Sequence, residues 1–261
     1  MVVNLATTKI LSVLLIGFNP VVREGLQAIL AKDAGIRVAG HCEDGHGALL
    51  QMQRASAQRQ PIDVVLTETR NTHTDGVQAT RLIKEQFPAV AVIVLTEFDN
   101  DSNVIDVIHA GAGGYIFLRD MTPKTLLESV HRVVEGGTQM KTELLRKAVD
   151  ALIQNGRKTL AERTAEAAHL TPREVDVLRL MGNGDTNKAI AESLSISLDT
   201  TKKHVQNIIS KLDARSRTHA AIIAAQAGIV GSPVTLLVLP TSTERAEANL
   251  AAAFSATPTA G

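Results

Sequence analysis

Between residues 9 and 137 short apolar runs alternate with amphipathic stretches: ILSVLLIG, IRVAGH, DVVLTE, VAVIVLT and GGYIFL are each followed by a segment whose apolar positions recur with helical spacing. Apolar runs of this length, bounded by turn formers, read as buried strands. Five such alternations predict an α/β domain, a doubly wound five-stranded parallel sheet covered by helices on both faces. In sheets of this kind ligands gather at the carboxyl ends of the strands, near the switch in strand order. Those ends are Gly17 and Phe18, Glu68, Thr96, and Leu118 or Arg119.

A different periodicity governs residues 170–218. Val205, Ile208, Ile209 and Leu212 fall at i, i+3, i+4 and i+7 and form one apolar stripe, while Lys202, Lys203, Gln206 and Ser210 occupy the opposite face. Ile190, Ala191 and Leu194 give a shorter preceding helix its buried side. Thr186 and Ser197 stand where N-caps would start the two helices, and Gly184 suits the end of the helix before them. Two short helices joined by a tight turn, the second with a basic outer face, predict an all-α helix-turn-helix domain over residues 169–230.

The remaining segments are plainer. Residues 138–168 read as a partly helical linker in which Gly156 divides TELLRKAVDALIQ from KTLAERTAEAAH. Residues 1–8 read as an extension. Residues 231–261, rich in Ala, Thr and Ser, read as a disordered tail in which the apolar island VTLLVL either docks on a surface or is an accidental patch.

Composition sharpens the picture. With 261 residues and 44% hydrophobic content the chain can fill two cores, and with 2% aromatic residues it must do so with aliphatic side chains. The whole chain is formally neutral, yet residues 200–219 carry Lys202, Lys203, Lys211, Arg215 and Arg217 against Asp213 alone. Cations are thus concentrated where DNA phosphates would be met. The single cysteine, Cys42, precludes an internal disulfide and fits a reducing cytoplasm. No apolar run approaches the roughly 20 residues needed to span a bilayer, and the amino terminus lacks the basic segment of a secretory signal, so a cytoplasmic location without membrane attachment is expected.

The carboxyl-terminal segment resembles the LuxR-type helix-turn-helix of NarL/FixJ response regulators. The LTPRE opening, the NKAIAESLSIS middle, the T-x-K-x-H-V-x-N-I helix and the RSRT close stand in that family's order. Residues 9–137 resemble the receiver domain that precedes this module, through GFNPVVREGLQAIL, DVVLTETRNTHTDGVQATRLI, VIVLTEFDND and HAGAGGYIF. The resemblance implies a transcription regulator whose partner is double-stranded promoter DNA, bound by a homodimer. It places Lys202, Lys203 and Gln206 in the major groove, and Lys188, Thr200 and Lys211 against the backbone. Thr201 stands where the family usually has valine, either modifying the packing or contacting a base. The resemblance also implies dimer contacts through the helix at about residues 218–227 and through the face formed by the fourth helix, fifth strand and fifth helix.

The receiver pocket departs from the family's pattern. A working receiver needs two acidic residues after the first strand, an aspartate after the third and a lysine after the fifth. Here those positions hold Gly17 and Phe18, Glu68, and Leu118 or Arg119, with Thr96 alone matching. Mg²⁺ requires hard oxygen ligands, and without the acidic pair phosphoryl transfer loses its electrostatic support. The added methylene of glutamate would also displace a nucleophile. No conventional phosphorylation is expected. Two readings stand for Glu68: a fixed charge imitating phosphoaspartate by pairing with Arg119 or hydrogen-bonding Thr96, or the remnant of a decayed pocket. Phe18 either plugs the vacated metal site or lines a pocket for a small apolar ligand.

Other chemistry finds little support in the sequence. His41 and Cys42, with His46 nearby, have metal-binding types, but adjacent strand residues point to opposite faces. There is no Gly-rich phosphate loop, nucleophile motif or convergent carboxylate pair, so neither enzymatic activity nor a resident cofactor or metal is expected. The alternatives are a phosphorylation-gated regulator, a sensor of a small-molecule ligand, or control by a regulatory protein at the receiver.

Overall fold

The computed structural model describes residues 9–69, 76–97, 101–140 and 169–226. The extension at residues 1–8, nearly all of the linker and the carboxyl-terminal tail lie outside them, as does the end of the segment assigned to the helix-turn-helix domain.

Every residue of β1 (Leu11–Ile16) and of β4 (Ala91–Thr96) is buried, as are four of the five in β3 (Val64–Glu68). Strands buried on both faces read as continuous apolar runs, which is the pattern of the sequence. With β2 (Ile36–Cys42) and β5 (Gly114–Phe117) they form one parallel sheet in the order β2-β1-β3-β4-β5. The five-stranded doubly wound sheet is therefore present as expected.

Four helices connect the strands and a fifth follows β5: α1 (Pro20–Leu30), α2 (Gly45–Ala57), α3 (Gly76–Gln86), α4 (Asp101–Ala110) and, last, α5 (Pro123–Val134). Their starts follow from local chemistry. The side chains of Asn19, Asp44 and Thr122 accept backbone N–H groups of α1, α2 and α5, and Pro20 and Pro123 occupy first-turn positions where no N–H is needed. At α3 the first residue must be glycine, because a Cβ on Gly76 would stand 2.2 Å from the carbonyl oxygen of Glu68. That close approach packs the start of α3 against the end of β3.

One face of the sheet packs on α2, α3 and α4 through Leu14, Ile16, Val65, Val92 and Val94, and the other on α1 and α5 through Val13, Leu15, Leu66, Ile93 and Leu95. Beyond β5 the chain returns to the sheet edge. Tyr115 donates its backbone N–H to the Gln139 carbonyl at 2.7 Å, and the Gln139 N–H reaches the Gly113 carbonyl at 3.0 Å. Residues 138–140, read from sequence as the start of a linker, are thus held against the edge strand. Neither length nor composition announces a single bridging residue.

Four further helices form the second unit: α6 (Pro172–Gly182), α7 (Asn187–Leu194), α8 (Leu198–Lys211) and α9 (Arg217–Gln226). Their core is aliphatic, built from Val177, Leu178, Met181, Ile190, Val205, Ile208 and Leu212. Thr171 and Glu174 close a reciprocal capping box at α6. Among the described residues no helix is long and apolar enough to cross a membrane.

The two units meet. Helix α9 presents two apolar faces: Ala220 and Ala224 join the helical core, whereas Ala221 and Ile222, with 2% and 0% of their surface exposed, join the sheet's α2–α4 core. Asn187 donates its N–H to the Glu135 carbonyl at 2.9 Å, and the hydroxyls of Thr138 and Thr218 lie 3.1 Å apart. The rings of His109 and His219 meet edge to face at 5.1 Å. Gly111, at φ 102°, lets the Arg215 carbonyl approach where a Cβ would meet it at 3.0 Å.

Candidate functional site

The turn between α7 and α8 is built by its own polar residues. Thr186 accepts the Ala189 N–H to start α7, Ser195 ends it in the left-handed region at φ 52°, and Ser197 accepts the Thr200 N–H at 3.0 Å to start α8. Three residues therefore separate the helices, and the buried side of α8, Thr201, Val205 and Ile208, fixes its rotation against α6 and α7. Lys202, Lys203 and Gln206 are left exposed on the outer side, as is Lys188 on α7. None of the four makes a hydrogen bond or ion pair among the described residues. An exposed helix face bearing cations and an amide is chemically equipped to meet phosphates and base edges.

Three residues counted with that face belong elsewhere. Thr201 is fully buried and donates its hydroxyl to the Ser197 carbonyl at 3.1 Å, so its role is local packing and the expectation of a base contact is corrected. Lys211 reaches back to α6, its Nζ 2.7 Å from Glu174 Oε2 and 3.3 Å from the His169 carbonyl, rather than toward a phosphate. Burial alone would raise the Glu174 carboxyl, but hydrogen bonds from Lys211 and from the Thr171 backbone and hydroxyl outweigh it and hold the group below its usual range. Arg217 is buried and ties α9 to the start of α7 through Asn187 Oδ1 at 3.0 Å and the Asp185 carbonyl; burial lowers it to about 10. Thr200 remains exposed, its hydroxyl 2.8 Å from Ser197 Oγ. Asp199, which the sequence reading passed over, is exposed one turn before Lys203. Its i, i+3, i+4, i+7 spacing to Lys202, Lys203 and Gln206 was the available signal.

At the strand ends of the sheet, Gly17 turns at φ 81° and donates its N–H to the Cys42 carbonyl at 3.0 Å. Phe18 follows with 6% of its surface exposed and lies in the α1 and α5 core. Its ring fills space in that core. A cavity of about 540 Å³ lies along β2, lined by Gln27, Asp33, Arg37 and Gly40 among others. Leu118 packs on the same core as Phe18. The Arg119 guanidinium sits 4.6 Å over the Phe117 ring and 3.9 Å from Asp120.

Glu68 closes β3 half-buried, and among the described residues it makes no hydrogen bond or ion pair. Burial and the neighbouring Glu97 push its carboxyl above the ordinary value. The buried Thr96 hydroxyl is 2.8 Å from that of Thr69. The contacts from Glu68 to Arg119 or Thr96 that a phosphate-imitating charge would use are therefore not made. The donor set also fails to fit Mg²⁺. Carboxylates are missing at Gly17 and Phe18, and no group of three acidic, histidine or cysteine side chains suited to a metal occurs among the described residues. His41, Cys42 and His46 form no such group either; Cys42 donates to Gln51 Oε1 at 2.8 Å, and burial and then Asp44 push its thiol up to about 11.

Comparison with known proteins covers both units. The family model "Bacterial regulatory proteins, luxR family" matches residues 168–224, and "Response regulator receiver domain" matches residues 13–131. The chain is 35% identical over 214 residues to the transcriptional regulatory protein LnrK of Bacillus subtilis (strain 168), covering 80% of this chain and 94% of that protein. It is 34% identical over 212 residues to LiaR of the same organism, covering 81% and 95%. With the response regulator VraR of Staphylococcus aureus (strain NCTC 8325 / PS 47) it shares 31% identity over 220 residues, covering 84% and 99%. Among solved structures, the response regulator ChrA of a heme-sensing two-component system is 29% identical at a TM-score of 0.43, covering 85% of this chain and 99% of that one.

Proposed function

Because the chain belongs to the LuxR family of response regulators, a receiver followed by a DNA-binding helix-turn-helix, we propose that it binds promoter DNA as a homodimer under a control that does not use phosphorylation of the receiver. The observation that carries this reading is Phe18. A buried aromatic ring occupies the strand end where a carboxylate would hold Mg²⁺, next to a glycine where the second would stand. Glu68, with no cationic partner among the described residues and a raised carboxyl, is a poor nucleophile and a poor imitation of phosphoaspartate. It is the remnant of a pocket and holds no fixed signal.

What the receiver retains is a docking surface. In the conformation described, α9 lies against α4, with Ala221 and Ile222 in the sheet's core, while Lys202, Lys203 and Gln206 stay exposed. Receiver docking therefore leaves the groove-reading face open and occupies the helix assigned to dimer contacts. Half-site recognition by a dimer requires that helix to be released. The controlling input acts on the seam between the units: a regulatory protein, or a small molecule that binds one of the two arrangements better.

A second reading, a phosphorylation-gated regulator, is favoured by the two-component relatives with which the chain shares about a third of its residues. Titrating promoter DNA before and after treatment with acetyl phosphate and Mg²⁺ separates the two. Unchanged affinity supports the proposal, and affinity that tightens only with both reagents overturns it.

A further inference from the structure

The outer face of α8 carries one residue of the wrong sign for DNA. Asp199 is exposed in the first turn, directly after Leu198, on a face that otherwise offers Lys202, Lys203 and Gln206. At about 100° per residue it lies within about 60° of all three around the helix axis and opposite the buried Thr201. It is not needed as a cap, because Ser197 already accepts the Thr200 N–H at 3.0 Å. Nor is it neutralised: Asp199 makes no hydrogen bond or ion pair among the described residues, and Lys203, one turn on, makes none either.

A carboxylate is acceptor-only. Placed among phosphates it is repelled, so on a helix that binds DNA it must either cost affinity or find a donor. In the major groove the donors are the exocyclic amines of cytosine and adenine; guanine and thymine present acceptor oxygens that repel it. The amino-terminal residues of a recognition helix are the ones that approach base edges.

We infer that Asp199 is a specificity-determining residue, accepting a hydrogen bond from the N4 amine of a cytosine and fixing one position of each DNA half-site. Lys202, Lys203 and Gln206 supply attraction and further reading, and Asp199 supplies rejection. It excludes guanine and thymine at its position by unpaired like-polarity contact. The inference rests on the family's DNA binding through α8.

Selection from a library of randomised half-sites, with the full-length protein and its Asp199→Ala and Asp199→Asn variants, tests it. The unaltered protein selects cytosine at one position per half-site, and exchanging that C·G pair for T·A weakens binding by on the order of tenfold. Asp199→Ala loses the preference at that position alone and binds the exchanged site at least as tightly as the original protein does. Asp199→Asn, an amide of the same shape, moves the preference to adenine. Identical base preferences in the unaltered protein and Asp199→Ala, at every position, overturn the inference whatever the change in overall affinity. A preference for adenine in the unaltered protein, abolished by Asp199→Ala, overturns the cytosine assignment. Absence of any sequence-selective binding by the unaltered protein fails a different statement, that α8 reads DNA at all.

Discussion

Replacing Ile222 by alanine isolates what the seam contributes. Ile222 is fully buried, and its contacts belong to the receiver's sheet core, whereas the neighbouring Ala220 and Ala224 serve the helical core. Undocking alone would expose it. Isoleucine-to-alanine truncation at a fully buried site costs about 2–5 kcal/mol, depending on how far the surroundings collapse. Assigning about 2–4 kcal/mol of that to the docked state shifts the ratio of docked to undocked molecules by about 30- to 700-fold. Dimerisation and DNA affinity should both increase, up to the limit set by the undocked fraction of the unaltered protein. Sedimentation velocity reads the first, and fluorescence anisotropy on a promoter fragment reads the second. Circular dichroism confirms that the helical unit stays folded. Unchanged dimerisation and DNA binding in a folded Ile222→Ala protein would refute the argument that α9 is held back by the receiver.

Three further outcomes follow from the same geometry. His109 lies below its usual value through burial and through the nearby Arg215 and Arg81, against the opposing pull of Asp106, while His219 Nδ1 accepts the Arg215 N–H at 3.2 Å and Lys84 from α3 flanks Gly111. A histidine depressed in the docked state stabilises docking above its free value of about 6.5 and loses that contribution as pH falls below it. Acidification from about pH 7.5 to about 5.5 should therefore increase dimerisation, and His109→Asn should flatten the response. At the groove-reading face, Lys202→Ala and Lys203→Ala should each weaken DNA binding by about 1–3 kcal/mol if they read bases; a lysine on a phosphate instead lowers the salt slope by about one. Glu68→Gln should leave DNA affinity unchanged and raise the melting temperature at neutral pH. A carboxyl held above its ordinary value stabilises the fold only while protonated, and that contribution is lost as pH rises. Weakened DNA binding by Glu68→Gln would restore the phosphate-imitating reading.

The sheet and the helix-turn-helix were legible because each is written in local pattern. Runs such as VAVIVLT admit little but a strand buried on both faces, and Val205, Ile208 and Leu212 admit one rotation of α8. Caps at Thr186 and Ser197 were readable for the same reason, since a side-chain oxygen three residues before a free N–H is a local feature. Long-range partners were not. Nothing near Lys211 shows that Glu174, 37 residues earlier, will claim its ammonium, and nothing near Arg217 shows that it will be buried against Asn187 and Asp185. Charge counting assigned both to DNA, because it treats every cation on a basic segment as exposed. The hydroxyl of Thr201 was ambiguous for a related reason: a threonine at that spacing satisfies itself on the preceding turn as readily as it faces outward. The two apolar faces of α9 were invisible as a pair, since the second is apolar only in relation to α4. At the strand ends, the residue types of the pocket were plain from sequence, but the burial of Phe18 and the absence of a partner for Glu68 among the described residues are set by long-range packing.

The central claim is that the receiver has lost the means to capture phosphate and acts through its seam with the helical unit. Its most direct test is intact-mass measurement of the full chain incubated with acetyl phosphate at saturating Mg²⁺ and quenched under conditions that preserve acyl phosphates. The account predicts an unmodified mass throughout. A magnesium-dependent phosphate adduct that maps to Glu68 would contradict it.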